Sequence, residues 1–244
     1  MQSALTIIRR ELFSYFRSPV AYVFIIIFLI STTGATWYLG KFYATNEAAL
    51  NSFFFFHPWL YLILIPAVGM RLWAEERRTG TVELLLTLPI SMFTAVLAKF
   101  VAAWIFVGVA LLLTFPMIFT VYYLGSPDGG VIVTGYLGSF LMAGAYLSIS
   151  CFTSSITKNQ VISFILSFII CLVLVLLGWG VLTETLADIF PIWIADLISR
   201  FSFTTNFDGI RRGLIDIENV VYFLSVIVFM LFMNVVVLEN QKAS

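Results

Sequence analysis

Apolar residues run along this chain in long blocks separated by short polar stretches. The first block is different: Leu5, Ile8, Leu12, Tyr15 and Phe16 recur at helical spacing, with Arg10, Glu11, Ser14 and Arg17 on the other side. That pattern predicts an amphipathic helix over residues 1–18, lying in a membrane interface. Pro19 then separates it from continuous apolar runs. A membrane-spanning helix needs about 20 apolar residues, and six segments qualify: Val20–Phe42, Phe53–Trp73, Thr94–Tyr123, Val131–Thr153, Gln160–Leu182 and Val220–Leu238. The third is long, and Pro116 is expected to kink it. The fold class is therefore all-α, a polytopic membrane protein with a single transmembrane domain over residues 1–244.

Composition agrees. The chain is 61% hydrophobic and 11% charged, whereas a soluble domain is roughly a quarter charged. The first 17 residues hold three arginines and a glutamate, and the apolar run that follows is too long for a cleaved signal peptide, so the first span is expected to be retained.

The formal net charge is zero, so the placement of charge carries the information. With the N-terminus inside, the inner segments hold Arg9, Arg10, Arg17, Arg71, Arg77, Arg78, Lys99, Lys158 and Lys242, and the outer ones only Lys41, Arg200, Arg211 and Arg212. Cationic residues favour the cytoplasmic side, so both termini and the 74–91 connection are expected in the cytoplasm. Lys99, near the start of the third span, is expected to snorkel to that interface.

The outer connections are unequal. Residues 125–130 make a tight turn. The stretch Thr183 to Asn219, with an extracytoplasmic loop over 183–217, keeps Phe190, Ile192, Trp193, Leu197, Phe201 and Phe203 among its charges. It reads as short helices at the outer interface or packed on the spans.

Candidate chemistry is sparse. Cys151 and Cys171 lie inside apolar spans and read as small packing residues. His57, beside Pro58, reads as an interfacial residue. Gly34–Lys41 has five residues between its glycines and ends in Lys-Phe, so it is not a phosphate-binding loop. No Asp or Glu lies mid-span, where an ion-coupled carrier would bind its driving ion, and no filter sequence or charged ring suggests a pore. Ser148, Ser150, Thr153, Ser154, Ser155, Thr157, Ser163 and Ser167 give the fourth and fifth spans a polar edge. With Gly135, Ser139 and Ala143 at four-residue spacing, that edge reads as close helix packing, with a substrate path along it as the other reading. Phe53–Phe56, Trp59, Trp104 and Trp179 read as interface belts or packing rather than a lipid-accessible cavity. No catalytic or metal-binding constellation emerges, and nucleic acid is not an expected partner.

The densest charge lies between the second and third spans, in Glu75-Glu-Arg-Arg-Thr-Gly-Thr-Val-Glu-Leu-Leu-Leu-Thr-Leu-Pro-Ile-Ser91. Gly80 is a left-handed helix stop, Thr81 an N-cap with Glu83 in the first turn, and Pro89 an end. A short helix over Thr81–Leu88 is predicted, with Leu84, Leu85 and Leu88 on its apolar face. It is either an interfacial connector or a docking knob.

This stretch resembles the signature of type 2 ABC transporter permeases. A second one, Phe207-Asp-Gly-Ile-Arg-Arg-Gly-Leu-Ile-Asp-Ile-Glu-Asn-Val-Val-Tyr-Phe223, is similar to the gliding-motility permease branch, to which the copper-site maturation permeases are neighbours. The resemblance spans nearly the whole chain. It implies a non-catalytic permease subunit, of the exporter type, in a bacterial inner membrane. It implies two copies of an ABC ATPase carrying ATP and Mg, a second permease copy or paralogue, and membrane lipids as partners, with a periplasmic-domain protein as a further candidate. By position it assigns ATPase coupling to Glu75, Glu76, Arg77, Arg78, Thr79, Gly80, Thr81, Glu83, Leu84 and Leu85. A candidate outer gate falls on Pro191, Trp193, Phe201, Phe203, Phe207, Arg211 and Arg212. Two rival functions stay open: a subunit that transmits force or assembles envelope structures without moving a solute, and an ion-coupled carrier.

Overall fold

The computed structural model describes residues 2–44, 48–81, 91–189 and 191–243. They are almost entirely helical, and no strand occurs among them. Among the described residues, four helical stretches are long and apolar enough to cross a membrane: Pro19–Leu39, Met92–Leu124, Gly129–Ile156 and Ile217–Asn240. The chain is a multi-pass membrane protein.

The chain starts with α1 (Gln2–Arg17) and α2 (Pro19–Gly34), which a π-helical turn, Ala35–Leu39, extends. Ser18 is extended at ψ 128° and Pro19 sits at the start of α2, where its missing N–H costs no hydrogen bond. The α1 helix does not lie apart on a membrane surface. It packs along α6 (Met92–Leu112), with the Tyr15 ring stacked on Phe106 at 5.0 Å. Its inward face includes Ile7 and Glu11 as well as Leu12, Tyr15 and Phe16, while Leu5 turns outward, 68% exposed. The expected polar face is therefore corrected at Glu11, which turns inward to meet a lysine.

The expected second span, Phe53–Trp73, is divided into α3 (Asn51–Phe55) and α4 (His57–Gly69), and the charged α5 (Ala74–Thr79) follows it. At about 1.5 Å per residue, the 13-residue α4 is short for a bilayer. His57 is corrected from interfacial to fully buried. Its ring lies within 5.6 Å of Phe53, Phe54 and Tyr61, aromatic side chains one turn before and one turn after it that close it in. The third span kinks as expected: α6 ends at Leu112 and α7 (Pro116–Leu124) restarts on the proline.

The centre of the fold is α8 (Gly129–Ile156), which packs against α4, α6, α9 (Gln160–Leu176) and α13 (Ile217–Ala243). Small residues allow this. A Cβ on Gly135 would collide with the Phe54 ring, and one on Gly69 with the Ser150 side chain. Part of the serine edge is packing: Thr153 Oγ1 lies 2.5 Å from Ser167 Oγ and 3.4 Å from Ser163 Oγ, joining α8 to α9, and all three residues are buried. Both cysteines are buried, and Cys151 Sγ accepts from Asn234 Nδ2 at 3.0 Å. The 17-residue α9 is apolar but shorter than a span. The anticipated short helices follow it: α10 (Gly180–Ile189), α11 (Ile192–Arg200) and α12 (Phe203–Arg211).

Candidate functional site

The charged element begins with an interruption. Between α4 and α5 the backbone leaves helical geometry at residues 70–73. Such a break strands carbonyls at one helix end and N–H groups at the next. One side chain on α8 resolves it: Ser154 Oγ accepts from the N–H groups of Trp73 at 3.0 Å and Ala74 at 2.9 Å, and donates to the Met70 carbonyl at 2.9 Å. The neighbouring Ser155 carbonyl accepts from the Arg77 guanidinium. So α5 is bolted at its start and its middle to the end of α8.

A second tie comes from α6. Lys99, only 2% exposed, places Nζ 2.6 Å from Glu76 Oε1 and 3.2 Å from Glu11 Oε1, and 5.2 Å from the centre of the Trp73 ring. Lys99 therefore does not snorkel. It is enclosed two turns into α6 by one acid from α1 and one from α5, with an aromatic face beside it. A buried ammonium requires such company. Burial alone would push the Glu11 carboxyl up, but Lys99 first and then Arg10 more than offset it, and its pKa lies below the ordinary value of 4.5. Arg10 reaches Glu11 at 2.9 Å.

The far end of α5 turns sharply. Gly80 has φ +74° and its N–H closes on the Glu76 carbonyl. Thr79 Oγ1 donates to the Glu75 carbonyl at 3.0 Å, and Thr81 Oγ1 donates to that of Glu76 at 3.4 Å. Arg78, Thr79, Gly80 and Thr81 form an exposed tip. The expected coupling residues thus divide into Glu76 and Arg77, which anchor α5, Glu75, which pairs with Arg71 at 3.4 Å, and the tip. Glu83, Leu84, Leu85 and the helix expected over Thr81–Leu88 fall mostly at residues 82–90, outside the described residues.

The expected gate residues do not form one cluster. Phe203 and Phe207 are buried against α8, with Phe203 4.7 Å from the Tyr146 ring and 5.8 Å from Phe223. Arg211 pairs with Asp208 at 2.5 Å and lies over the Phe55 ring. Trp193 and Phe201 are exposed at 68% and 56%, as are Pro191 and Arg212.

Sequence reasoning missed the anchors. Ser154 and Ser155 read as packing residues, Glu11 as part of a polar face and Lys99 as an interfacial lysine. A signal did exist. A lone lysine inside an apolar run asks for an acid, and the nearby segments with acids are those of Glu11 and of Glu75–Glu76. A family model described as ABC-2 family transporter protein matches residues 29–243, most of the chain and all of the region just described except α1. No curated protein matches.

Proposed function

We propose that this chain, which belongs to the ABC-2 transporter family, is a membrane-spanning permease subunit worked by a separate ABC ATPase. The observation that carries the reading is the clamped α5, whose exposed Arg78–Thr81 tip is tied through Glu76 to Lys99 on α6 and through the Ser154 hydroxyl to α8. A load on that tip reaches α1, α6 and α8 together instead of bending a loose connection. Carbonyls, hydroxyls and ions packed in this way transmit displacement because packed interiors yield little.

In this reading α4 and α9 join the four long helices to make six crossings, and the Lys/Arg distribution puts both termini and the tip in the cytoplasm. The membrane is the bacterial inner membrane. Two such subunits, identical or paralogous, meet two ATPase subunits, which hold ATP and Mg. Residues 82–90, with Glu83, Leu84 and Leu85, complete the docking surface. Nucleotide-driven closure of the ATPases pushes α5, the spans reorient, and solute leaves outward past α11 and α12. The gliding-motility branch is the proposed relationship within the family.

A second reading is favoured by α11, whose Ile192, Trp193 and Leu197 are exposed at 71%, 68% and 51%. That face suits a periplasmic partner, with ATP turnover doing mechanical work and no solute crossing.

Copurification of the intact complex tests the first point. The Gly80→Pro, Glu83→Lys double variant is expected to lose the ATPase subunit while the permease still reaches the membrane. Retention of the ATPase with normal turnover overturns the docking assignment. Vesicles that hydrolyse ATP but accumulate no solute favour the second reading, and uptake driven by an ion gradient without ATP removes both.

A further inference from the structure

Two cavities meet beneath α1, one polar and one apolar. The polar cavity, about 460 Å³, is bounded by α1, the 70–73 turn, α5 and Lys99. Its charges balance: Arg10, Arg71 and Lys99 face Glu11, Glu75 and Glu76. The apolar one, about 270 Å³, is a groove between α2 and α4 with Val20, Phe24 and Ile27 on one wall and Ile63, Ala67 and Met70 on the other. Val20, Ile27 and Ile63 are about half exposed, so the groove opens sideways, where hydrocarbon would be. Tyr15 and Arg71 line both cavities and mark where they join.

We propose that this composite site holds a phospholipid with a primary ammonium headgroup, of the phosphatidylethanolamine class, from the leaflet on the α1 side. An acyl chain fills the α2–α4 groove and the headgroup enters the polar cavity. Arg71 engages Glu75 through Nε at 3.4 Å, and among the described residues its terminal nitrogens are left for the phosphate, beside the Ser14 and Ser18 hydroxyls that also line the cavity. Arginine is well suited to phosphate oxygens. Glu76 supplies the complementary feature. Its Oε1 is taken by Lys99, but its Oε2 is buried and has no hydrogen-bond partner among the described residues. A buried carboxylate oxygen lacking a donor is costly, and an ammonium N–H supplies one.

Charge and shape together select this class. A net-anionic headgroup without an ammonium would meet three carboxylates and leave Glu76 Oε2 unsatisfied. A choline headgroup carries positive charge but no N–H to donate. A water-soluble phosphoethanolamine would match the polar cavity and ignore the groove. The inference does not depend on the ATPase docking proposed above, since it concerns the chain and its bilayer alone.

Native mass spectrometry of the delipidated full-length chain in detergent tests it, with added dioleoyl phosphatidylethanolamine, phosphatidylcholine or phosphatidylglycerol, or glycerophosphoethanolamine. Retained adduct is expected to be about tenfold greater for phosphatidylethanolamine than for the other two lipids, the size of one charge-assisted hydrogen bond. The acyl-free compound should not bind. Arg71→Ala and Ala67→Phe should each reduce the adduct to the level of phosphatidylcholine. The first removes the phosphate contact and the second plugs the groove without touching any charge, so a folding defect in one leaves the other informative. Equal retention of all three lipids overturns the proposal, as does an adduct that survives Ala67→Phe. Efficient cross-linking between copies through cysteines placed at Ile27 and Ile63 in native membranes also overturns it, because the groove would then be covered by a second copy of the chain.

Discussion

Lys99 Nζ and Glu76 Oε1 lie 2.6 Å apart, and the lysine side chain is 2% exposed. This pair connects an otherwise apolar helix to the one dense charge cluster of the chain. Removing one partner of a buried pair costs far more than the pair is worth, because the other charge stays behind without compensation. Lys99→Met leaves Glu76 and Glu11 facing each other and is expected to destabilise the chain by on the order of 3 kcal/mol. The Lys99→Met, Glu76→Gln double variant should lose less than the sum of the single losses. Denaturant unfolding in detergent, run as a double-mutant cycle, measures the coupling, and strict additivity would show the contact to be incidental.

Glu11 gives this clamp a pH dependence. Its folded pKa is depressed below 4.5, with burial opposing and Lys99 and Arg10 prevailing. The unfolded state therefore takes up a proton first as pH falls. The contribution is fully present above the ordinary carboxylate range and is lost as pH drops through the lowered folded value. The wild-type chain should lose stability on acidification below about pH 4.5 more steeply than Glu11→Gln. Melting temperatures of the two proteins across pH 3–7 check this, and parallel profiles would remove Glu11 from the account.

The Ser154 hydroxyl joins both sides of the break at residues 70–73 to α8. Ser154→Ala removes three hydrogen bonds, to Met70, Trp73 and Ala74, and each buried backbone group left unpaired costs about 1–3 kcal/mol. Part of that cost is relieved if α5 detaches from α8. Amide hydrogen exchange at Trp73 and Ala74 is therefore expected to accelerate by more than tenfold, with little change in α13. Unchanged protection would mean that another group holds the turn.

Gly80 is needed for its backbone alone. Its φ is +74°, and a Cβ there would meet nothing within 4 Å. Gly80→Ala should therefore cost only the left-handed penalty, about 1 kcal/mol, and Gly80→Asn less, since asparagine tolerates that region. Thermal unfolding of the three proteins should rank Gly above Asn above Ala. An Ala variant as stable as wild type would mean the turn can relax.

Much of this arrangement was legible in the sequence. Apolar runs mark the four long helices, Pro116 marks the kink between α6 and α7, Gly80 marks the left-handed end of α5, and the apolar 183–217 stretch announces short helices. These are local signals, written within a turn or two of the feature. The break at the end of the second expected span was not legible, because the hydroxyl that bridges it, that of Ser154, lies about eighty residues away from Trp73. Lys99 was misread for the same reason. Its enclosure depends on Glu11 and Glu76, and pairwise contact between distant segments leaves no periodicity to read. His57 differs in another way: its place near the start of a span reads as interfacial, but the rings of Phe53, Phe54 and Tyr61, one turn before and one turn after it, enclose it.

The contact between α4 and α8 rests on the absence of a side chain at one position. A Cβ at Gly69 would collide with the Ser150 Cβ, and Ser150 is buried, with Oγ donating to the Tyr146 carbonyl at 3.1 Å. Inserting even a methyl group into such packing forces the helices apart, typically at about 1–3 kcal/mol. Gly69→Ala should therefore destabilise the chain and, because Gly69 immediately precedes the Met70–Trp73 turn, also weaken the Ser154 hydrogen bonds. Ser150→Gly removes the colliding atom at the cost of helix propensity, about 0.5–1 kcal/mol. In the double variant the alanine occupies the vacated space, so it should recover most of the stability lost by Gly69→Ala alone, and with it the slow exchange at Trp73 and Ala74. Denaturant unfolding and hydrogen exchange on the same four proteins decide the matter. If the two substitutions simply add, the close approach of α4 to α8 is not what sets the position of α5.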